Sequence, residues 1–273
     1  MTKKILILII LLFCTNIQSS KILNISIPKS GTFLLMRTLE LITGKKCAIG
    51  LDPQIYAPSI EILKGSMERC GFACLHLVFK PQYENFLKAN GDKACFIFRD
   101  PRDQLVSQVY YMLQHSPSHG RFTFDSLLTA LIGDNDRSPQ DILTHFLTLK
   151  LDVLSSLDYI SHIKRFDEGF LGWKTSEICY TTRFEDLVGP MGGGTVEQQR
   201  REITNIAKHI GVHLNEEQVE YVVLNVFGNT ASFREGKIGS WRKHFKEEHK
   251  QAFKAVAGDL LSRLGYELDD VNW

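Results

Sequence analysis

The stretch KILNISIPKSGTFLL, residues 21–35, constrains this chain most. An apolar run leads into proline, lysine, serine and glycine, and leucines follow, a pattern that reads as buried strand, tight loop and helix. The first N–H groups of such a helix point back into the loop, where they and the positive end of the helix dipole favour an anion. Glycine, hydroxyls and lysine are the ingredients of a phosphate loop, but their order here is unusual. A kinase or GTPase loop reads G-x-x-x-x-G-K-[ST], with cation and hydroxyl last. Here Lys29 comes before Gly31.

The rest of the chain repeats the alternation. Residues 21–27 are the first expected strand, and the helix after Gly31 ends at Gly44. Residues 94–98 (ACFIF) read as a second strand, running into RDPRD, where Asp100 suits a helix N-cap and Pro101 the first helical position. The helix continues through Val106, Val109, Tyr110 and Leu113. Residues 178–184 (ICYTTRF) read as a third strand and FACLHL around Cys74 as a fourth. Further helices are expected from Ser138-Pro139 and from about Glu247 to Leu264, the latter closed by Gly265. Strands alternating with helices predict an α/β protein: a three-layer α/β/α P-loop-type fold with a central, mainly parallel sheet. No Pro/Ser/Gly-rich linker divides residues 21–273, so they are expected to form one domain.

Net charge is +1, which offers no basic field for nucleic acid, so any anion site must be local. The six cysteines include no C-x-x-C pair and no Cys/His cluster, so no zinc site is expected. Cys95 and Cys179 sit in strand-like runs and read as small buried hydrophobes. Residues 1–20 combine Lys3 and Lys4 with the apolar run ILILIILLFC, a pattern of signal-peptide length. As a leader or anchor it would send the chain to the secretory pathway or tie it to a membrane; otherwise the chain is cytoplasmic. The sequon at Asn24 is discounted because it falls in a buried strand, and Trp173 and Trp241 read as packing residues. His115 and His119 belong to a polar loop.

Four separated segments, in order, resemble the P-loop-fold sulfotransferases: IPKSGTFLL, FIFRDPRDQLVSQVYYM, RFEDLVG, and FREGKIGSW followed by RKHF. The resemblance covers most of the chain from Lys21 to Leu268. It implies 3′-phosphoadenosine 5′-phosphosulfate (PAPS) as sulfuryl donor, with no metal, and a hydroxyl-bearing (or amine) acceptor that is a small molecule, glycan or lipid. It implies that Lys29, Ser30, Gly31, Thr32 and Phe33 hold the 5′-phosphosulfate. Arg99, Ser107, Arg234, Glu235 and Gly236, with Gly239, would surround the 3′-phosphate. His76 falls at the family's catalytic base, and Lys29 would act on the bridging oxygen of the leaving group. Several positions depart from the family. Phe33 replaces a frequent second threonine, Leu34 an aromatic residue, Cys74 a lysine two residues before the histidine, and Glu235 a basic residue. A P-loop kinase of a nucleotide or small metabolite, or a non-catalytic nucleotide-binding protein, are the rival readings.

Overall fold

The computed structural model of the chain describes residues 20–49, 57–68, 72–115, 163–228 and 234–266, with Asp125 and Ile132. The leader-like segment, His119 and the helix expected from Ser138 lie outside the described residues. Five strands form one sheet: β1 (Ile22–Ser26), β2 (Cys47–Ile49), β3 (Phe72–Leu75), β4 (Lys93–Phe98) and β5 (Cys179–Arg183), in the order β2-β3-β1-β4-β5. Every pairing is parallel, with Ile25 opposite Leu75 on one side and Phe96 on the other. The sequence-based strands at 21–27, 94–98, 178–184 and around Cys74 all form. The strand β2 was not expected, because CAI is too short to show a period.

Side chains alternate across a strand, and that alternation builds the two faces of this sheet. Leu23, Ile25, Ala94 and Phe96 point to one face. There they meet Leu63 of α2 (Ile60–Glu68), Leu87 of α3 (Pro81–Ala89), Val106 and Val109 of α4 (Pro101–His115), and Ile163 of α5 (Ile163–Glu168). Trp173, on the short α6 (Gly172–Thr175), and Trp241 are fully buried on this face, and the Trp173 indole donates to the Leu77 carbonyl at 2.7 Å. Ile22, Cys95 and Ile97 point the other way. They are covered by α1 (Thr32–Thr43), α7 (Phe184–Leu187), α8 (Val196–His209) and α9 (Glu216–Asn225). The C-terminal helix α10 (Glu247–Leu264) closes the first face with Phe253, Leu260 and Leu261. A sheet buried on both faces needs apolar residues at both parities, which is why ACFIF is unbroken.

Two expected helix ends hold: Gly44 and Gly265 are both left-handed C-caps. Asp100 accepts the Arg102 backbone N–H at 2.9 Å, the expected cap of α4. Cys95 is buried as expected, whereas Cys179 keeps some exposure. Asn24 is fully buried, so its sequon is inaccessible. Among the described residues no helix is long and apolar enough to cross a membrane.

The strand order sets the position of the site. From central β1 the chain runs out to β2, returns through β3, then crosses to β4 and β5. Helices leave in opposite directions at this reversal, opening a crevice at the carboxyl ends of the strands. The loop after β1, His76 after β3 and Arg99 after β4 all lie at that edge.

Candidate active site

The loop between β1 and α1 has two left-handed residues: Lys29 (φ 64) and Gly31 (φ 104). Gly31 needs that conformation and also the space, because a Cβ there would sit 2.9 Å from the Phe184 ring and 3.0 Å from Ile97. Lys29 is the only non-glycine residue at positive φ among the described residues, a costly conformation typical of working loops. Helix α1 starts at Thr32 with no side-chain cap and no acidic residue in its first turn. The N–H groups of Gly31, Thr32 and Phe33 therefore open onto the loop with no acceptor in a preceding turn.

One expected contact is differently used. The Ser30 N–H donates to the Ile27 carbonyl at 3.1 Å, closing the turn, so it is not presented to a ligand. The Ser30 hydroxyl donates to Gln104 Oε1 at 3.4 Å, and the Thr32 and Ser26 hydroxyls are 2.8 Å apart. Gln104 in turn donates to the buried Asp167, whose carboxyl burial pushes up to about 7. The loop is thus braced from β1 and from α4.

His76 is fixed against the same loop. Its Nδ1 lies 2.8 Å from the Ser26 carbonyl oxygen and 3.2 Å from the Ser26 hydroxyl. A carbonyl can only accept, so Nδ1 carries the proton and Nε2 is the basic atom of the neutral ring. Burial pushes the imidazole pKa down to about 4; the Ser26 carbonyl opposes this and the Lys29 charge adds to it. The residue as a whole is nevertheless only half-buried, at the edge where a proton acceptor for an incoming molecule must lie. Lys29 is itself lowered to about 8, first by burial and then by the Arg234 charge. Its ammonium sits 4.1 Å over the Tyr111 ring.

On the other side, Arg99 is more committed than its sequence context suggests. It is 7% exposed, donates to the Lys237 carbonyl, lies 3.4 Å from Asp103 and stacks 4.3 Å over the Phe184 ring. Its Nε is buried with no partner. Ser107 lies two turns into α4 and stays partly exposed. Arg234 is exposed, paired with the Glu235 carboxylate at 2.8 Å and placed 4.3 Å over the Tyr110 ring. Gly236 is left-handed (φ 61), and its carbonyl packs so closely on Gly192 that a Cβ there would lie 2.6 Å away. The Gly239 N–H is not available to a ligand: it donates to Asp103 at 2.7 Å.

Asp103 was missed from the sequence. Besides Gly239 it accepts from the Ser240 hydroxyl at 2.9 Å and the Trp241 N–H at 2.8 Å, and it faces Arg99. One fully buried carboxylate therefore ties the C-terminal loop to the start of α4. The repeated acid in RDPRD was the only available signal, and it is ambiguous because first-turn acids are common in any helix. Among the described residues no group of His, Cys, Asp or Glu is assembled to hold a metal ion.

No family model matches the chain, and no curated protein matches it. Solved structures do. A mouse sulfotransferase, SULT7A1, complexed with PAP superposes with a TM-score of 0.61 at 15% identity, over 93% of this chain and 87% of that one. Retinol dehydratase in a complex with retinol and PAP gives a TM-score of 0.56 at 16% identity, over 92% and 83% of the two chains. The same enzyme with androsterone and PAP gives 0.51 at 16% identity, over 93% and 83%. At such identities the likeness establishes the fold: this chain has the P-loop-type α/β fold of the sulfotransferases.

Proposed function

We propose that this protein is a sulfotransferase that moves the sulfuryl group of PAPS to an acceptor hydroxyl. The observation that carries the reading is the joint construction of His76 and the phosphate loop. Ser26 holds the imidazole through its carbonyl and the first residue of α1 through its hydroxyl. A ring with Nε2 basic and an uncapped helix start thus share one support. The neighbours with this fold carry PAP, the product that such a donor leaves behind.

The chain's own groups fit the donor. The N–H groups of Gly31, Thr32 and Phe33 would receive the 5′-phosphate at the start of α1. Arg99 Nε, a buried donor without an acceptor, suits the 3′-phosphate; Ser107, Arg234 and Gly236 would close around it, with Glu235 as the adjacent acid. In the reaction His76 Nε2 takes the proton of the acceptor hydroxyl as its oxygen bonds to sulfur. On the opposite side the bond from sulfur to the bridging oxygen breaks, and the electron pair stays on that oxygen. Lys29 meets the charge growing there, a stabilisation realised chiefly in the transition state. The sulfuryl group ends on the acceptor as a sulfate ester, and adenosine 3′,5′-bisphosphate leaves with the bridging oxygen. Retinol and androsterone, bound by neighbours of this fold, are hydroxyl-bearing small molecules, and an acceptor of that class is the one we assign here. Residues 1–20 would act as a leader or anchor.

The test is nucleotide selectivity by calorimetry. Adenosine 3′,5′-bisphosphate should bind at least about tenfold more tightly than AMP or ATP, since an Arg–phosphate contact is a strong, charge-assisted one. EDTA should leave binding unchanged. Equal affinity for AMP would overturn the assignment.

A further inference from the structure

Helix α4 does more than supply Ser107. Residues three and four apart share a helix face, so Gln104, Ser107 and Tyr111 lie along one side of α4. Two of them touch the phosphate loop: Gln104 meets the Ser30 hydroxyl at 3.4 Å, and the Tyr111 ring lies under the Lys29 ammonium at 4.1 Å. The tyrosine is 40% exposed, so core packing does not require an aromatic residue there. Its neighbour Tyr110 lies under Arg234 in the same way at 4.3 Å. Two like charges from two loops thus face one crevice, each over its own ring.

We propose that Tyr111 is a positioning residue for Lys29, its ring face holding the ammonium charged and in place at the mouth of the phosphate loop. A lysine with left-handed backbone has its stem direction set by the loop, but four rotatable bonds remain. The electron-rich face of a ring restricts them without a hydrogen bond that a ligand would have to break. It also favours the charged form. That matters because burial and Arg234 both act against the charge. The ionic groups facing Lys29, among the described residues, are Arg234 from the C-terminal loop, His76 after β3 and the Tyr111 phenol. His76 is neutral well below pH 7 and does not titrate in the relevant range. The proposal rests on the sulfotransferase reading, which makes the loop an anion site.

The test is calorimetry of adenosine 3′,5′-bisphosphate binding at pH 6.5 and 8, in buffers of differing ionisation enthalpy, so that proton uptake is read with affinity. The wild type should take up about half a proton at pH 8, as bound phosphate restores full charge to a lysine titrating near 8. Lys29→Met should abolish that uptake. Tyr111→Leu should weaken binding about three- to tenfold at pH 8 and by less than about twofold at pH 6.5, with greater uptake at pH 8. Tyr111→Phe, which keeps the face and removes the phenol, should match the wild type. A merely structural tyrosine would lower affinity equally at both pH values. Either that result or a Tyr111→Leu variant identical to wild type overturns the proposal and leaves the sulfotransferase reading standing. A wild type that binds no adenosine 3′,5′-bisphosphate at either pH overturns both.

Discussion

His76 Nδ1 and the Ser26 carbonyl oxygen are 2.8 Å apart, and this contact decides which nitrogen of the ring can act as a base. Ser26 is the last residue of the central strand, immediately before the loop, so the tautomer is set by the same backbone that aims the loop. Removing the ring should cost the proton transfer and little else. His76→Ala should lower turnover by about 10²–10⁴-fold with adenosine 3′,5′-bisphosphate affinity nearly unchanged. Steady-state kinetics and calorimetry on one preparation check this; parallel loss of affinity and melting temperature would mark a structural histidine.

The same ring predicts a pH course. An ordinary histidine loses basicity near 6.5, whereas burial holds His76 neutral down to about 4. The acid limb of kcat/KM should therefore lie well below 6.5. Because the folded-state pKa is the lower one, the unfolded chain binds the proton first, and stability falls as pH drops from about 6.5 to about 4. Melting curves should show the stability difference between wild type and His76→Gln moving against the wild type across that window. An acid limb near 6.5 would contradict the burial argument.

Asp103 links three donors of the C-terminal loop to Arg99, so its loss leaves a buried guanidinium short of its counter-charge. Asp103→Ala should destabilise the protein by about 3–5 kcal/mol, the usual consequence of breaking a buried pair on one side. Asp103→Asn should cost less, because it keeps an oxygen for the loop. Denaturant unfolding measures both; an alanine variant within about 1 kcal/mol of wild type would show that the loop is held by other means.

Two glycines at helix ends make a controlled comparison. Gly31 and Gly44 are both left-handed, but only Gly31 has atoms within 4 Å of a would-be Cβ. Gly44→Ala should cost about 1 kcal/mol, the backbone penalty alone. Gly31→Ala adds a clash with Phe184 and Ile97 and should cost more, about 2–4 kcal/mol, and should weaken nucleotide binding. Equal stability losses would mean that the neighbours yield freely.

Local patterns made much of this architecture readable. The unbroken run ACFIF announced a strand buried on both faces, and Gly44, Asp100 and Gly265 marked helix ends through backbone and capping chemistry that belongs to single residues. The loop was readable for the same reason, since its ingredients lie within five consecutive positions. What stayed hidden was long-range. Asp103 meets Gly239 across 136 residues and Arg99 meets Lys237 across 138, and no spacing rule connects such positions. The use of the Ser30 N–H inside its own turn, and the Tyr111 ring under Lys29, depend on loop and rotamer geometry that residue types do not fix.

The central claim is that this crevice transfers a sulfuryl group, with Lys29 acting in the transition state. It is tested most directly by following radiolabelled sulfur from PAPS into a mixed acceptor extract, with wild type and Lys29→Met side by side. The wild type should label a hydroxyl-bearing acceptor with or without EDTA. Lys29→Met, which keeps the stem and removes the charge, should lose labelling at saturating donor far more than it loses affinity for adenosine 3′,5′-bisphosphate. A wild type that labels nothing, or a Lys29→Met variant that labels as fast as wild type once donor saturates, would contradict the account.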